Sequence, residues 1–278
     1  MAEVVDYGMF ATWLAGCDGR GARWTLLRRF QREWGIDPDD EMPPLWYDTA
    51  RRALAGTVPP PDGDDMLDGV DPALPVPRAL DEWWRLPYNS FLYQPRLYWV
   101  HPVYPPKFEA TSHAGPIPAD DPLLHGTDDR RVCVFMAEYQ YCNVWGYPAA
   151  QAAHADPVAL VTTDDGWTVQ ADTLSGFFLH QAVYRIPRLL GFTATLDEAP
   201  PGFADADLPE LGLRPWRQLG SNVTMYGAPD AIVYVDATAG GSDQAFTAAA
   251  RTEEALKNLT ARLGIEASAS VSPPTWRT

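Results

Sequence analysis

Cysteine is scarce in this chain: only Cys17, Cys133 and Cys142 occur in 278 residues. Three scattered thiols cannot form a disulfide framework, and an odd number leaves one unpaired. Lysine is scarcer still, with Lys107 and Lys257 the only two among 21 basic residues, against 37 acidic ones. The formal charge is −16, and both halves share it: residues 1–140 carry 13 basic and 22 acidic side chains (−9), residues 141–278 carry 8 and 15 (−7). A surface of that sign repels phosphate backbones and anionic lipids, so direct nucleic-acid or membrane-surface binding is excluded as an expectation. No run approaches the roughly 18 uninterrupted apolar residues of a membrane span. The start, MAEVVDYGMF, shows no basic stretch followed by an apolar one, so the expected location is cytoplasmic.

Catalytic signatures are missing too. There is no G-x-S-x-G elbow, P-loop or G-x-G-x-x-G, and Ala239-Gly240-Gly241-Ser242 reads as a turn. The five histidines (His101, His113, His125, His154, His180) have no metal-ligand spacing, and Cys133 and Cys142 form no C-x-x-C pair. Asp64-x-Met66-x-Asp68-Gly69 opens like a calcium loop, but Met66 holds the third position and Pro75 the twelfth, which needs a bidentate carboxylate. The expectation is therefore no catalytic residues, no metal and no cofactor. An enzyme would have to assemble its site from scattered groups, for instance Glu138, His154 and Asp156.

What the chain does have is aromatic residues and proline: 11 Trp, 12 Tyr, 10 Phe and 27 Pro, with 46% apolar residues overall. That composition supports a packed core broken by many turns. Trp24, Leu27, Phe30 and Trp34 recur at helical spacing, and Gly35 stands where the helix would end. A second short helix fits Leu45 to Leu54. Residues 58–77 hold five Asp and no base among many prolines, the composition of an exposed linker. Pro77 then suits the first turn of a helix carrying Leu80, Trp83 and Trp84 on one side. Residues 95–122 read as irregular chain or short edge strands.

Val132 to Met136 and Tyr141 to Trp145 are predicted strands around a Glu138-Tyr139-Gln140 corner. Val158 to Val161 and Trp167 to Val169 flank Asp164-Asp165-Gly166 as a second hairpin. A helix follows from Thr173, a loop or linker over 195–215 with several acids, a strand over Ala231 to Val235, and a last helix capped by Thr252. The organisation expected is an N-terminal helical segment (1–57), a Pro/Asp-rich linker (58–77), an α+β domain (78–264) extended beyond about 195, and a mobile tail (265–278).

The order Leu74-Pro75, the Leu80/Trp83/Trp84 helix, Phe135-Met136-Ala137-Glu138-Tyr139-Gln140 running to Val144-Trp145-Gly146, Asp156-Pro157-Val158, Trp167 and Leu174-Ser175-x-Phe177-Phe178 resembles the bacterial, Smi/Knr-like branch of the SUKH superfamily. The likeness covers about residues 70–187, with Tyr139 where the family corner more usually has Asn. It implies an α+β fold: a mixed, mostly antiparallel sheet packed against helices, with N-terminal helices and a C-terminal strand–helix extension.

It also implies a non-catalytic, protein-binding role. Many bacterial members are thought to be immunity proteins that neutralise toxins of polymorphic secretion systems, often nucleases or deaminases. A basic toxin domain suits an acidic partner. A regulatory or scaffold protein of the same fold is the alternative. The exposed acids offered as contact residues are Asp62, Asp64, Asp65 and Asp68 in the linker, Asp128 and Asp129 before the first strong strand, and Glu138 at the corner. Trp83, Trp84, Trp145 and Trp167 are expected in the core.

Overall fold

Aromatic residues dictate the N-terminal helices. In the computed structural model, which describes residues 3–36, 52, 69–86, 100–108, 114–124, 126–138, 140–238, 245–265 and 270–272, helix α1 spans Phe10–Ala15 and α2 spans Gly19–Glu33. Trp24, Leu27 and Phe30 are buried along one face of α2, and Gly35, at φ +83°, ends it as the sequence predicts. Tyr7 stacks on Trp34 at 5.8 Å and meets Phe30 edge-on at 5.7 Å, which gathers the chain start around α2. The predicted Leu45–Leu54 helix falls almost wholly outside the described residues.

The chain divides into two compact units, Pro38–Phe178 and Met1–Asp37 with Leu179–Thr278. The expected 78–264 domain is thus shared between them, and the N-terminal helices join the C-terminal part instead of standing apart. The reason is a polar knot. Asp230 accepts from the Val5 N–H at 2.9 Å and pairs with Arg251 at 2.7 Å, while Arg251 also donates to the carbonyls of Glu33 and Glu3. With both charges largely buried, each needs the other.

In the Pro38–Phe178 unit, helix α3 (Arg78–Arg85) begins at Pro77 and buries Ala79, Leu80, Trp83 and Trp84. Its solvent side is laced by Arg78–Glu82 and Asp81–Arg85 pairs one turn apart. Five strands follow: β1 (Val100–Phe108), β2 (Val132–Glu138), β3 (Val144–Pro148), β4 (Ala159–Thr163) and β5 (Gly166–Ala171). They form one sheet in sequence order, every pairing antiparallel. Strand β1, with Pro102, Pro105 and Pro106, lies at the edge, where missing N–H donors are tolerated.

All seven residues of β2 are buried because both sheet faces are covered. On one face Phe135 meets Phe177 and Phe178, and Phe178 stacks on Trp83 at 4.1 Å. On the other, Ile117 and Leu124 pack against Val132 and Leu160. Trp83, Trp84 and Trp145 are fully buried as expected, whereas Trp167 is half-buried and donates to the Gly115 carbonyl at 2.7 Å. Gly146 is required: a Cβ there would stand 2.4 Å from a Val132 methyl and 2.9 Å from the Cys133 carbonyl oxygen.

Helix α4 (Leu174–Leu190) gives Leu174–Phe178 to this unit and Leu179–Leu190 to the other. The second unit then builds β6 (Phe192–Leu196), β7 (Trp216–Gln218), β8 (Ser221–Ala228), β9 (Ala231–Asp236), β10 (Phe246–Ala250), α5 (Glu253–Leu263) and β11 (Ser270–Ser272). The sheet order is β11-β6-β10-β9-β8-β7, again wholly antiparallel. The fold is α+β, as the sequence predicts, and every strand pair among the described residues is antiparallel.

Thr252 caps α5 as predicted, its hydroxyl accepting from the Ala255 N–H at 3.1 Å. Leu256, Leu259 and Leu263 seat α5 on Ala194, Val233, Phe246 and Ala248. The expected mobile tail contains β11, which pairs with β6. The expected 195–215 loop holds a 3₁₀ turn, Pro201–Ala206, whose Phe203 packs on Tyr226 and Phe246.

Candidate functional site

In an antiparallel sheet alternate strand ends meet, so the close of β2, the start of β3, the close of β4 and the start of β5 share one end. Two turns sit there. At the first, the Glu138 N–H donates to the Asn143 carbonyl and the Tyr141 N–H to the Glu138 carbonyl, both at 2.8 Å. The Gln140 N–H donates to Glu138 Oε2 at 2.9 Å. Closing so tight a corner puts Tyr141 at φ +61°, the left-handed region that a bulky residue avoids, and leaves the residue 58% exposed. Backbone of this kind persists only where its surroundings hold it in place.

Asn143 ties this corner to β4. Its Nδ2 donates to the Thr162 carbonyl at 2.7 Å, and the Val144 N–H donates to Thr162 Oγ1 at 3.0 Å. One residue beyond Thr163 comes the second turn, where Asp164 and Asp165 are both exposed. Thr163 Oγ1 closes it by donating to the Gly166 carbonyl at 3.1 Å, and Gly166 at φ +113° supplies a conformation closed to other residues. The sheet end therefore presents one aromatic ring and two carboxylates on a framework fixed by side-chain hydrogen bonds.

The acids singled out from sequence meet different fates. Asp62, Asp64, Asp65 and Asp68 lie outside the described residues. Asp128 is exposed, as a contact residue must be. Asp129 is taken up by Arg131, which it meets at 2.7 Å and which also pairs with Asp71 at 3.1 Å. Those hydrogen bonds from Arg131 hold the Asp129 carboxyl below the usual carboxylate range. Glu138 is a correction: it is fully buried, because β2 is covered on both faces to its last residue, and no partner surface reaches it. Its carboxylate shapes the corner from beneath.

Of the scattered trio, Asp156 starts helix α4, accepting from the Ser175 N–H at 2.9 Å and the Ser175 hydroxyl at 2.6 Å. In the sequence Tyr141 reads as the first residue of a strand, and Asp164 and Asp165 as turn residues. The signal that a turn between two strands joins its neighbour at one sheet end was present in the strand order.

Cys133 and Cys142 do not share an environment. Cys133 is buried and its thiol is pushed up to about 12, chiefly by burial, while Cys142 is exposed beside Tyr141. Among the described residues no group of three His, Cys, Asp or Glu side chains is placed to hold a metal ion. No described helix is long and apolar enough to cross a membrane. No protein-family model matches the chain, and neither the curated proteins nor the solved structures yield a match.

Proposed function

We propose that the chain is a non-catalytic, cytoplasmic binding protein whose partner is a basic protein domain, in keeping with its resemblance to SUKH immunity proteins. The observation that carries this reading is the sheet end where exposed, left-handed Tyr141 stands on the same edge as Asp164 and Asp165. Tyrosine supplies a large contact area at little entropic cost, and flanking carboxylates raise the encounter rate with a cationic surface. The −16 formal charge extends that attraction over the whole molecule. A toxin whose substrate groove is lined with Arg and Lys fits such a partner.

The test is co-expression with a toxin encoded by an adjacent gene, followed by calorimetry of the purified pair. Tyr141→Ala is expected to weaken binding by about 2 kcal/mol. The pair Asp164→Asn and Asp165→Asn should slow association and flatten its salt dependence. Recovery of no protein partner at low salt, or an affinity indifferent to all three substitutions, would overturn the reading.

A further inference from the structure

The Leu179–Thr278 part of the molecule holds a cleft of about 290 Å³ whose chemistry the protein-binding reading does not use. Its roof is α4, where Tyr184 and Arg188 stand one turn apart. Its floor is one face of the six-stranded sheet. Tyr234 lies opposite Thr247, and Val223 opposite Asp236, so these cross-strand pairs point the same way.

The cleft contains one cation and one anion that do not meet. The Arg188 guanidinium lies over the rings of Tyr184 and Tyr234, at 4.7 and 5.7 Å from their centroids. Among the described residues it makes no ion pair and donates no hydrogen bond, so its fork of donors is unspent, in a protein with 16 more acids than bases.

Asp236 is held elsewhere. Its Oδ1 accepts from the Asn222 N–H at 3.0 Å, the Thr238 N–H at 2.9 Å and the Thr238 hydroxyl at 2.7 Å. Burial pushes this carboxyl up, but those bonds outweigh it and keep the group below its ordinary range, so it stays charged. The Tyr234 hydroxyl is turned away to the Val183 carbonyl at 2.7 Å, so Tyr234 does not supply a donor to a bound molecule.

We propose that this cleft binds a free α-amino acid, its carboxylate on Arg188 and its ammonium toward Asp236. Separated opposite charges in one small cleft are complementary to a zwitterion, and an arginine fork matches a carboxylate in bidentate geometry. The volume lies at the lower end of the range for small-molecule sites, about 300–1,000 Å³, which is room for an amino acid. Tyr184 and Val223 offer an apolar wall to the side chain and Thr247 a hydroxyl, while the Ser221 hydroxyl is engaged by Asp236.

The experiment is calorimetric titration of the full chain with each common amino acid up to about 10 mM, the weakest range in which binding is measurable. The best ligand is then compared with its C-terminal amide and its N-acetyl derivative. Binding is expected for the free amino acid, with about a tenfold or greater loss for the amide and for Arg188→Gln. Arg188→Lys, which keeps charge without the fork, should fall between.

Arg188→Gln removes no ion pair or hydrogen bond to a described residue, so its circular dichroism should match the wild type. If it does not fold, the amide and N-acetyl comparison on the wild type still decides. An amide that binds as tightly as its parent, full binding by folded Arg188→Gln, or no amino acid binding at all overturns the proposal. None of these outcomes touches the sheet end carrying Tyr141, which belongs to the other unit.

Discussion

His180 makes the protein acid-sensitive in a way that can be worked out from its surroundings. The side chain sits on α4, 1% exposed, edge-on to Trp216 at 4.9 Å, with Nε2 lacking a hydrogen-bond partner. Burial alone pulls its pKa from 6.5 to about 3. Below pH 6.5 the unfolded chain therefore takes up a proton that the folded chain refuses. The contribution to stability is fully present above pH 6.5, falls as pH drops, and is exhausted near pH 3. Each pH unit in that window costs about 1.4 kcal/mol. Between pH 7.5 and 4.5, two units of the descent are traversed, a loss of about 2.7 kcal/mol against a total stability of roughly 5–15.

The perturbation is His180→Leu, which fills a similar volume and cannot titrate. Urea unfolding followed by tryptophan fluorescence at pH 7.5, 6.0, 5.0 and 4.5 gives a stability profile for each protein. Carboxylates such as Asp129 and Asp236, whose pKa values are held low, titrate in both proteins and cancel in the difference. The wild type should lose about 2.7 kcal/mol more than the variant across this range. Parallel profiles would refute the reasoning, and so would an imidazole that titrates above pH 5 in the folded protein by NMR.

Two other substitutions probe the same unit. Pro187 lies inside α4 and cannot donate to the Val183 carbonyl, which instead accepts the Tyr234 hydroxyl at 2.7 Å. Tyr234→Phe should therefore cost about 1–3 kcal/mol in urea unfolding, and the penalty should shrink in a Pro187→Ala background, where residue 187 regains its N–H. At Gly227 an added Cβ would stand 2.2 Å from the Tyr7 carbonyl oxygen and 2.6 Å from the Gly8 nitrogen, both backbone atoms. Gly227→Ala is expected to destabilise by at least about 2 kcal/mol, read as a lower urea midpoint with an unchanged slope.

Elements whose signal is local were legible in the sequence. The aromatic face of α2, the Asp164-Asp165-Gly166 hairpin and the Thr252 cap each lie within about ten residues and stand where expected. The strands that escaped notice depend on distant partners. Phe246–Ala250 is FTAAA, and alanine has little strand preference of its own. It is a strand because β6 and β9 flank it and α5 needs small residues beneath Leu256 and Leu259. The same holds for β11, a three-residue strand completed only by β6.

The site follows the same division between local and distant causes. Glu138 reads as an exposed corner acid because a charged residue after an apolar run normally reaches solvent. Its burial depends on cover over both faces of β2, which no local window displays. Tyr141 reads as the first residue of a strand, yet β3 begins at Val144. The three residues between become a turn because the Asn143 side chain and the Val144 N–H spend their hydrogen bonds on Thr162, nineteen and eighteen positions away. That tie forces the left-handed backbone at Tyr141 and turns its ring outward. A net charge alone specifies only the sign of a partner. The proposed contact adds a place to that sign, the sheet end where Tyr141, Asp164 and Asp165 lie.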